Sequence, residues 1–593
     1  MPWFVDKTNM IGLVIKTLGL PAQFGVEKIR KADVLMITAP RRFGKTTNID
    51  MLLCFFAGIL SKETFEKLNI GKNSQAMNWW GKFHGIFITF AHFLGVIKNE
   101  EEAFNACRSI IHATFVKYNY IRSDFPKECI ESVDAWIDGT EYKKKTKSDI
   151  ATGVELLIRC IRHYYGDEKP ILLFVDEFDR ICSRAMFNTK ESDELVRIIT
   201  VYCDMIGNAA KYESQCLTIL TGVSAITCRG LSSLNNVEYI RFLENKEFSQ
   251  SYGITREEFE DVMARDEIPK IVREQKEEAY RWYNGYDYDN MKLQILNTYS
   301  VVNFIKEQKV ASYWRDSGAA EGLDKSLKNK LMRQKILQLL RQEPAKEEEL
   351  LRIKLMPYLK AKDFNFIEND CYELIDCDIV LNFLLQQGYV SIKKKEDADK
   401  TALIIIPNYE VKPEFQARLM EYYQETFEFN QALIKSIRGC FTSINISDEN
   451  DCFKRLTEAK NAMNLLLKEK NTKKAHVNEA WIEAFLFHIF SEAFEVELQK
   501  PIPETVRNND MRTATKLDSF YVMEDRCFVL EESMELSAED ALQKIFTKQY
   551  DLAAVNLGLP YLLIGLSVGE GINGIADISL CFCHGDFNKG KVV

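Results

Sequence analysis

Two short runs in this chain carry residue types that could together do phosphate chemistry. The first is Val34-Leu-Met-Ile-Thr-Ala-Pro-Arg-Arg-Phe-Gly-Lys-Thr-Thr47, an apolar stretch, a loop, and then Gly44-Lys45-Thr46 at the start of a helical pattern. In that context the backbone N–H groups of the loop and of the first helical turn, through Thr47, would face a phosphate, which the helix dipole favours. Gly44 lets the backbone approach closely, Lys45 would bridge the β- and γ-phosphates, and the Thr46 hydroxyl would ligate Mg²⁺. Ala39 stands where the usual pattern has its first glycine, so this run alone is a weak signal.

The second run is Ile171-Leu-Leu-Phe-Val-Asp-Glu177, an apolar strand ending in two adjacent carboxylates. Acids at such a place are costly unless a metal or a partner uses them. Asp176 is expected to hold Mg²⁺ through water, and Glu177 to orient or deprotonate the attacking water. A third run, Cys216-Leu-Thr-Ile-Leu-Thr221, puts Thr221 where it could sense the γ-phosphate or simply cap a strand. Arg41, Arg42 and Arg229 are candidate counter-charges for the phosphates, with ordinary surface arginines as the alternative.

The elements that must position these residues read as an α/β fold. Val34–Thr38, 85–90, 171–175 and 216–221 are short apolar runs between amphipathic helical stretches, the pattern of a parallel sheet covered by helices. The expected organisation is a P-loop ATPase domain over 1–254, a helical lid and winged-helix-like region over 255–440, and an α/β domain over 441–593. Within the middle region lie the Tyr283-Asn-Gly-Tyr286 turn and a hairpin near 389–392 and 402–406.

At 593 residues the chain is long enough for two or three domains. A hydrophobic share of 46% and a charged share of 28% are those of a globular protein. The longest apolar candidate, 51–60, is too short for a membrane span, and the N-terminus lacks a signal-peptide pattern, so an intracellular location, cytoplasmic or nuclear, is expected. The 15 scattered cysteines suit reduced, buried thiols, and Cys581-Phe-Cys583-His584 reads as either a strand or part of a metal site. A net charge of −10 leaves nucleic-acid binding open, since a local basic groove can exist on an acidic chain.

With these residues in hand, the chain resembles the AAA-ATPase-like proteins fused to a C-terminal PD-(D/E)XK nuclease-superfamily domain. The resemblance rests on Phe4-Val-Asp-Lys-Thr8, Pro40-Arg-Arg-Phe-Gly-Lys-Thr46, Val175-Asp-Glu-Phe-Asp179 and Thr221-Gly-Val-Ser224 with Leu234-Asn-Asn236. It continues through Gly253-Ile-Thr255, Tyr283-Asn-Gly-Tyr286, Tyr313-Trp314 with Ser317, Gly388-Tyr389 and Ile406-Pro-Asn-Tyr-Glu-Val411. It implies ATP and Mg²⁺ at the P-loop and a restriction-endonuclease-like tail acting on DNA or RNA.

In the tail, the family's nuclease motif corresponds to Thr515-Lys-Leu-Asp518 and Val529-Leu-Glu-Glu-Ser533. The resemblance makes Asp518 and Glu531 the carboxylates for a second divalent ion, with Ser533 where the family has its lysine. Lys544, in the helix around Ala541-Leu-Gln-Lys-Ile545, could reach the same site, and Glu479 or Glu483 could supply an upstream acid. Two functions follow: an ATPase that controls a nuclease-like module, or a nucleotide switch whose tail is catalytically dead and only binds a partner. AAA-like cores often assemble so that one subunit's arginine completes another's site, which keeps an oligomer open; no arginine here declares itself as that finger.

Overall fold

The computed structural model describes residues 3–21, 32–93, 95–166, 168–189, 192–211, 216–227, 237–288, 293–314, 321–341, 347, 350–356, 358–360, 376–396, 400–477, 479–490, 519–522, 526–548, 559–584 and 591–592. Contacts divide the chain into two units, Met1–Phe415 and Gln416–Val593.

The first unit is built on five parallel strands: β1 (Val34–Thr38), β2 (His84–Thr89), β3 (Ile171–Asp176), β4 (Cys216–Gly222) and β5 (Val237–Arg241), in the order β2-β3-β4-β1-β5. All residues of β1, β3 and β4 are buried. Strands covered on both faces must be apolar throughout, which is why the sequence shows continuous runs here rather than alternation. Inserting β4 between β1 and β3 has a direct consequence. The C-terminal ends of the strands bearing the phosphate loop and the carboxylate pair flank one intervening strand, and their loops meet over it.

Helices α1 (Asn9–Leu18), α2 (Lys45–Phe56), α3 (Glu100–Lys117), α4 (Lys147–Tyr165) and α5 (Ser192–Lys211) accompany the sheet. α4 starts from a capping box in which Thr146 and Asp149 satisfy each other's backbone N–H groups, and it ends at Gly166. Its buried stripe of Ile150, Val154, Leu157, Ile158 and Ile161 follows helical spacing.

The rest of this unit contains two small antiparallel sheets. β6 (Ile254–Thr255), β7 (Tyr286–Tyr288) and β8 (Leu293–Leu296) form one, in the order β6-β8-β7, followed by α6 (Thr298–Glu307). The other follows α7 (Lys330–Arg341): β9 (Leu351–Lys354), then α8 (Cys377–Gln387), β10 (Ser391–Glu396) and β11 (Thr401–Ile405), in the order β9-β11-β10. The expected hairpin is β10–β11, and β10 runs on through Lys393–Glu396. Those lysines lie at half-exposed or exposed strand positions.

The second unit contains α10 (Gln431–Ser443), α11 (Glu449–Glu469) and α12 (Glu479–Phe490), preceded by α9 (Lys412–Phe427), within which the unit begins. Its sheet has five strands, β12 (Ser519–Val522), β13 (Cys527–Ser533), β14 (Tyr561–Glu570), β15 (Ala576–His584) and β16 (Lys591–Val592), in sequential order. Among the described residues only β13 and β14 of this sheet pair in parallel, and α13 (Ala538–Thr547) lies between them in the chain, as a parallel connection requires. Cys527, Cys581 and Cys583 pack with Val529, Leu542 and Ile545 in its core. Burial pushes the Cys581 thiol up to about 11 and raises Cys583 as well, so both behave as small apolar side chains. Among the described residues no helix is long and apolar enough to cross a membrane.

Tyr283 and Tyr286 have the burial of packing residues, at 0% and 1% exposure. The Tyr283 hydroxyl donates to Ala311 O at 3.0 Å and the Tyr286 hydroxyl to Gly388 O at 2.8 Å. Gly285 between them has φ 98°, and a Cβ there would lie 1.9 Å from Pro407 O. Gly285→Ala is therefore expected to destabilise the first unit by about 2–4 kcal/mol, through backbone strain and displacement of the 407 backbone. Thermal unfolding of the full chain checks this; an unchanged Tm would show that the turn tolerates a side chain.

Candidate nucleotide site

The apolar run of β1 ends at Thr38, and Ala39 N donates to Gly222 O, which fixes the start of the loop to the end of β4. The loop closes at Gly44, with φ 84° and ψ 21°, and α2 begins at Lys45. The N–H groups of the first turn of a helix have no intrahelical acceptor, so those of α2 are available to an anion. Lys45 is 7% exposed, and its Nζ donates to Ala39 O at 2.9 Å and Pro40 O at 2.8 Å. The lysine is thus folded back across its own loop. Burial lowers its pKa to about 8, against the opposing pull of Asp179, Glu177 and Asp176.

Asp176 is completely buried at the end of β3. Its Oδ2 accepts from Thr46 Oγ1 at 2.7 Å, and its Oδ1 accepts from Thr221 Oγ1 at 2.7 Å and from Glu177 N at 3.0 Å. These donors offset the desolvation that a buried carboxylate would otherwise suffer. One side chain therefore joins the phosphate loop, β3 and β4.

Glu177 has φ 52°, which costs a non-glycine residue about 1 kcal/mol and turns the chain sharply at the strand end. Its Oε2 accepts from Arg180 Nη1 at 2.6 Å, and Arg180 Nε donates to Phe93 O at 2.8 Å. Asp179, 3% exposed, accepts from the backbone N–H groups of Val223 at 3.0 Å and Ser224 at 2.7 Å. At Gly222 a Cβ would lie 2.5 Å from Asp179 Oδ1, so glycine is needed for this close approach.

The two loop arginines differ in surroundings. Arg42, with φ 67°, donates from Nη1 to Tyr313 O and lies over the Tyr299 ring at 4.3 Å. Close to it, the buried carboxylate of Glu410 accepts from Ser300 Oγ and from the N–H groups of Tyr313 and Trp314 at 2.6 and 2.8 Å. Burial pushes Glu410 up to about 7 despite these donors. Arg41 lies in the electrostatic field of Glu177, Arg180 and Asp179, and its Nε donates to Gln387 Oε1 at 3.3 Å. Beside Ala39 and Pro40 there is a cavity of about 370 Å³ walled by Phe242, Leu243, Tyr286, Leu385 and Val390.

Residues 3–232 match the family model AAA-ATPase_like, described as "Predicted AAA-ATPase". The match gives a predicted AAA-ATPase-like domain over those residues. It is also 22% identical over 322 residues, 53% of this chain, to a protein of Azotobacter chroococcum mcd 1 named "Uncharacterized protein in vnfD 5'region". The chain spans about half the length, 51%, of that curated relative.

The structure brings together Gly44, Lys45, Thr46, Asp176, Glu177 and Thr221, with Thr47 in the first turn of α2. Arg42 joins the same loop but is engaged with Tyr313 and Tyr299, while Arg229 lies outside the described residues. Arg180, Asp179, Gln387 and Glu410 were not singled out from the sequence as site residues. Asp179 closes the Val175–Asp179 run and Glu410 lies in the Ile406–Val411 run, so these two had a readable signal.

In the second unit, Glu531 is completely buried on β13 and forms an ion pair with Lys544 of α13. Ser533 Oγ accepts from Leu536 N at 2.8 Å, so it supports the turn into α13. Asp518 lies outside the described residues, as do the side chains of Glu479 and Glu483.

A polyphosphate held by Lys45 would require the lysine protonated, and burial lowers its pKa to about 8. Nucleotide affinity should therefore be nearly independent of pH well below 8 and weaken above it, by up to about tenfold per pH unit. Titration with a fluorescent ATP analogue from pH 7.5 to 9.5 tests this; a flat profile would mean that Lys45 stays charged throughout.

Proposed function

We propose that the N-terminal domain binds ATP with Mg²⁺ and hydrolyses it. The observation that carries this reading is the bridge from Thr46 through Asp176 to Thr221, which gathers a P-loop hydroxyl, a strand-end carboxylate and a hydroxyl of the intervening strand. Thr46 and Asp176 offer hard oxygen ligands of the type Mg²⁺ takes. They would hold the ion, which when bound supplies positive charge for the β- and γ-phosphate oxygens. Lys45 would exchange its carbonyl acceptors at Ala39 and Pro40 for phosphate oxygens. Arg180 engages Glu177 Oε2, so Oε1 would take the attacking water and accept its proton. The cavity beside Ala39 and Pro40 is of a size that takes a nucleoside, which supports a seat for the base there.

The finer reading divides the chain at 254 and 440 and gives the middle region a winged-helix-like part formed by α7, β9, α8, β10 and β11. It makes the second unit a nuclease-like module acting on DNA or RNA under control of the nucleotide state. The ion pair of Glu531 with Lys544 supports this, since a helical lysine reaches the carboxylate that the family resemblance assigns to metal binding. Asp518 and Glu531 would hold a divalent ion, and Lys544 would replace the cation missing at Ser533. The competing reading, a nucleotide switch with a dead, partner-binding tail, draws on Ser533 itself, whose hydroxyl cannot supply positive charge.

Lys45→Ala should abolish ATP binding, and Glu177→Gln should preserve binding while slowing hydrolysis by about a hundredfold or more. Unchanged nucleotide affinity in the lysine variant would sink the ATP-site assignment. For the tail, cleavage of labelled single- and double-stranded DNA and RNA with Mn²⁺ or Mg²⁺ should be weak in the wild type. Asp518→Ala and Lys544→Ala should each remove it, a loss of about a hundredfold or more. Cleavage that survives Asp518→Ala would place the site elsewhere, and inactivity with intact nucleic-acid binding would favour the switch.

A further inference from the structure

The fully buried side chain of Gln387 is the last residue of α8 and lies far downstream of the family match. Its amide is used in both directions. Oε1 accepts from Arg41 Nε at 3.3 Å, and Nε2 donates to Ser224 Oγ at 2.8 Å. Ser224 is itself fully buried, and its N–H is held by Asp179 Oδ2. The adjacent Gln386 Oε1 accepts from Ala225 N at 2.8 Å, so two consecutive glutamines grip the segment that follows β4. That segment continues directly from Thr221, which bonds Asp176.

We propose that Gln387 is a positioning residue of the ATP site, holding Arg41 at the γ-phosphate position and tying it to the segment after Thr221. This rests on the ATP-binding reading above. The geometry contains a continuous path from Asp176 to Thr221, along the backbone to Ser224, through the Gln387 amide, and on to Arg41 in the phosphate loop. An arginine side chain has several rotatable bonds, and a phosphate-binding loop by itself leaves them unfixed. An acceptor at Nε selects one rotamer without consuming the positive charge. The carboxylates of Glu177 and Asp179 are among the groups that act on Arg41, beside Arg180 and Tyr389, so its guanidinium lies in the field of the acids that follow β3. The amide is also chemically apt. A carboxylate at 387 would neutralise Arg41 and compete with the phosphate, whereas a neutral acceptor orients it without adding a negative charge.

The consequence is that ATP should be preferred over ADP through Arg41, and that this preference should depend on Gln387. The test uses the full chain with mant-labelled ATPγS and mant-labelled ADP for affinity, and unlabelled ATP for turnover. Gln387→Ala is expected to lower kcat by about ten- to a hundredfold, the scale of a misplaced group. It should reduce the ATPγS-over-ADP preference while leaving ADP affinity within about twofold. Because the two residues act as one unit, adding Gln387→Ala to Arg41→Ala should cost no more than Arg41→Ala alone. Gln387→Met, which keeps the volume but offers no amide, should behave like the alanine variant and separates orientation from packing.

Wild-type kcat and nucleotide preference in both Gln387 variants would overturn the inference, as would an equal loss of ATPγS and ADP binding accompanied by a lowered Tm. Equal binding of mant-ATPγS by the wild type and Lys45→Ala would instead overturn the ATP-site reading, and the inference with it.

Discussion

The geometry of the first unit turns on one buried carboxylate. Asp176 has no solvent to share its charge with, so it must take its stabilisation from fixed donors, and the donors it takes are Thr46 and Thr221. That requirement couples three loops that are distant in the chain. The P-loop cannot shift without exposing an unpaired acceptor, and the end of β4 cannot rotate without losing its hydroxyl bond. A buried polar network is costly when incomplete and specifying when complete, and here its completeness defines where the phosphate loop and the carboxylate pair stand.

Around that centre, further charges are held rather than left in solvent. Glu177 is paired with Arg180, Asp179 with two backbone N–H groups, and Glu410 with Ser300 and the Tyr313–Trp314 backbone. Such arrangements preorganise a site, because the dipoles that would meet developing charge are already oriented. They also reach well past residue 232: Gln387 and Glu410 belong to segments outside the family match yet touch or adjoin the loop arginines. The domain that carries the phosphate-binding motif is therefore supported by downstream segments within the same compact unit.

The second unit follows a different physical logic. Its sheet has a parallel pair of strands bridged by α13, and the buried Glu531 is met by Lys544 from that helix. Ser533, at the end of the same strand, uses its hydroxyl to hold the turn after β13.

Much of this was legible before any coordinates. The apolar runs at 34–38, 171–176 and 216–222 are continuous because their strands are covered on both faces, and Gly44-Lys45-Thr46 and Asp176-Glu177 stand at or just beyond the ends of β1 and β3. Those are local facts, set by residue type and spacing, so the linear sequence carries them. It did not carry the engagement of Arg42 with Tyr313 and Tyr299 or the reach of Gln387 back to Arg41. Nor did it show that β4 would lie between β1 and β3. A glutamine at the end of an apolar helix looks like any other polar cap, and an arginine in a loop has many rotamers of similar energy. Which partner each one finds is decided only when the sheet order and the packing of α8 bring segments hundreds of residues apart within hydrogen-bond range, where desolvation makes a single arrangement cheapest.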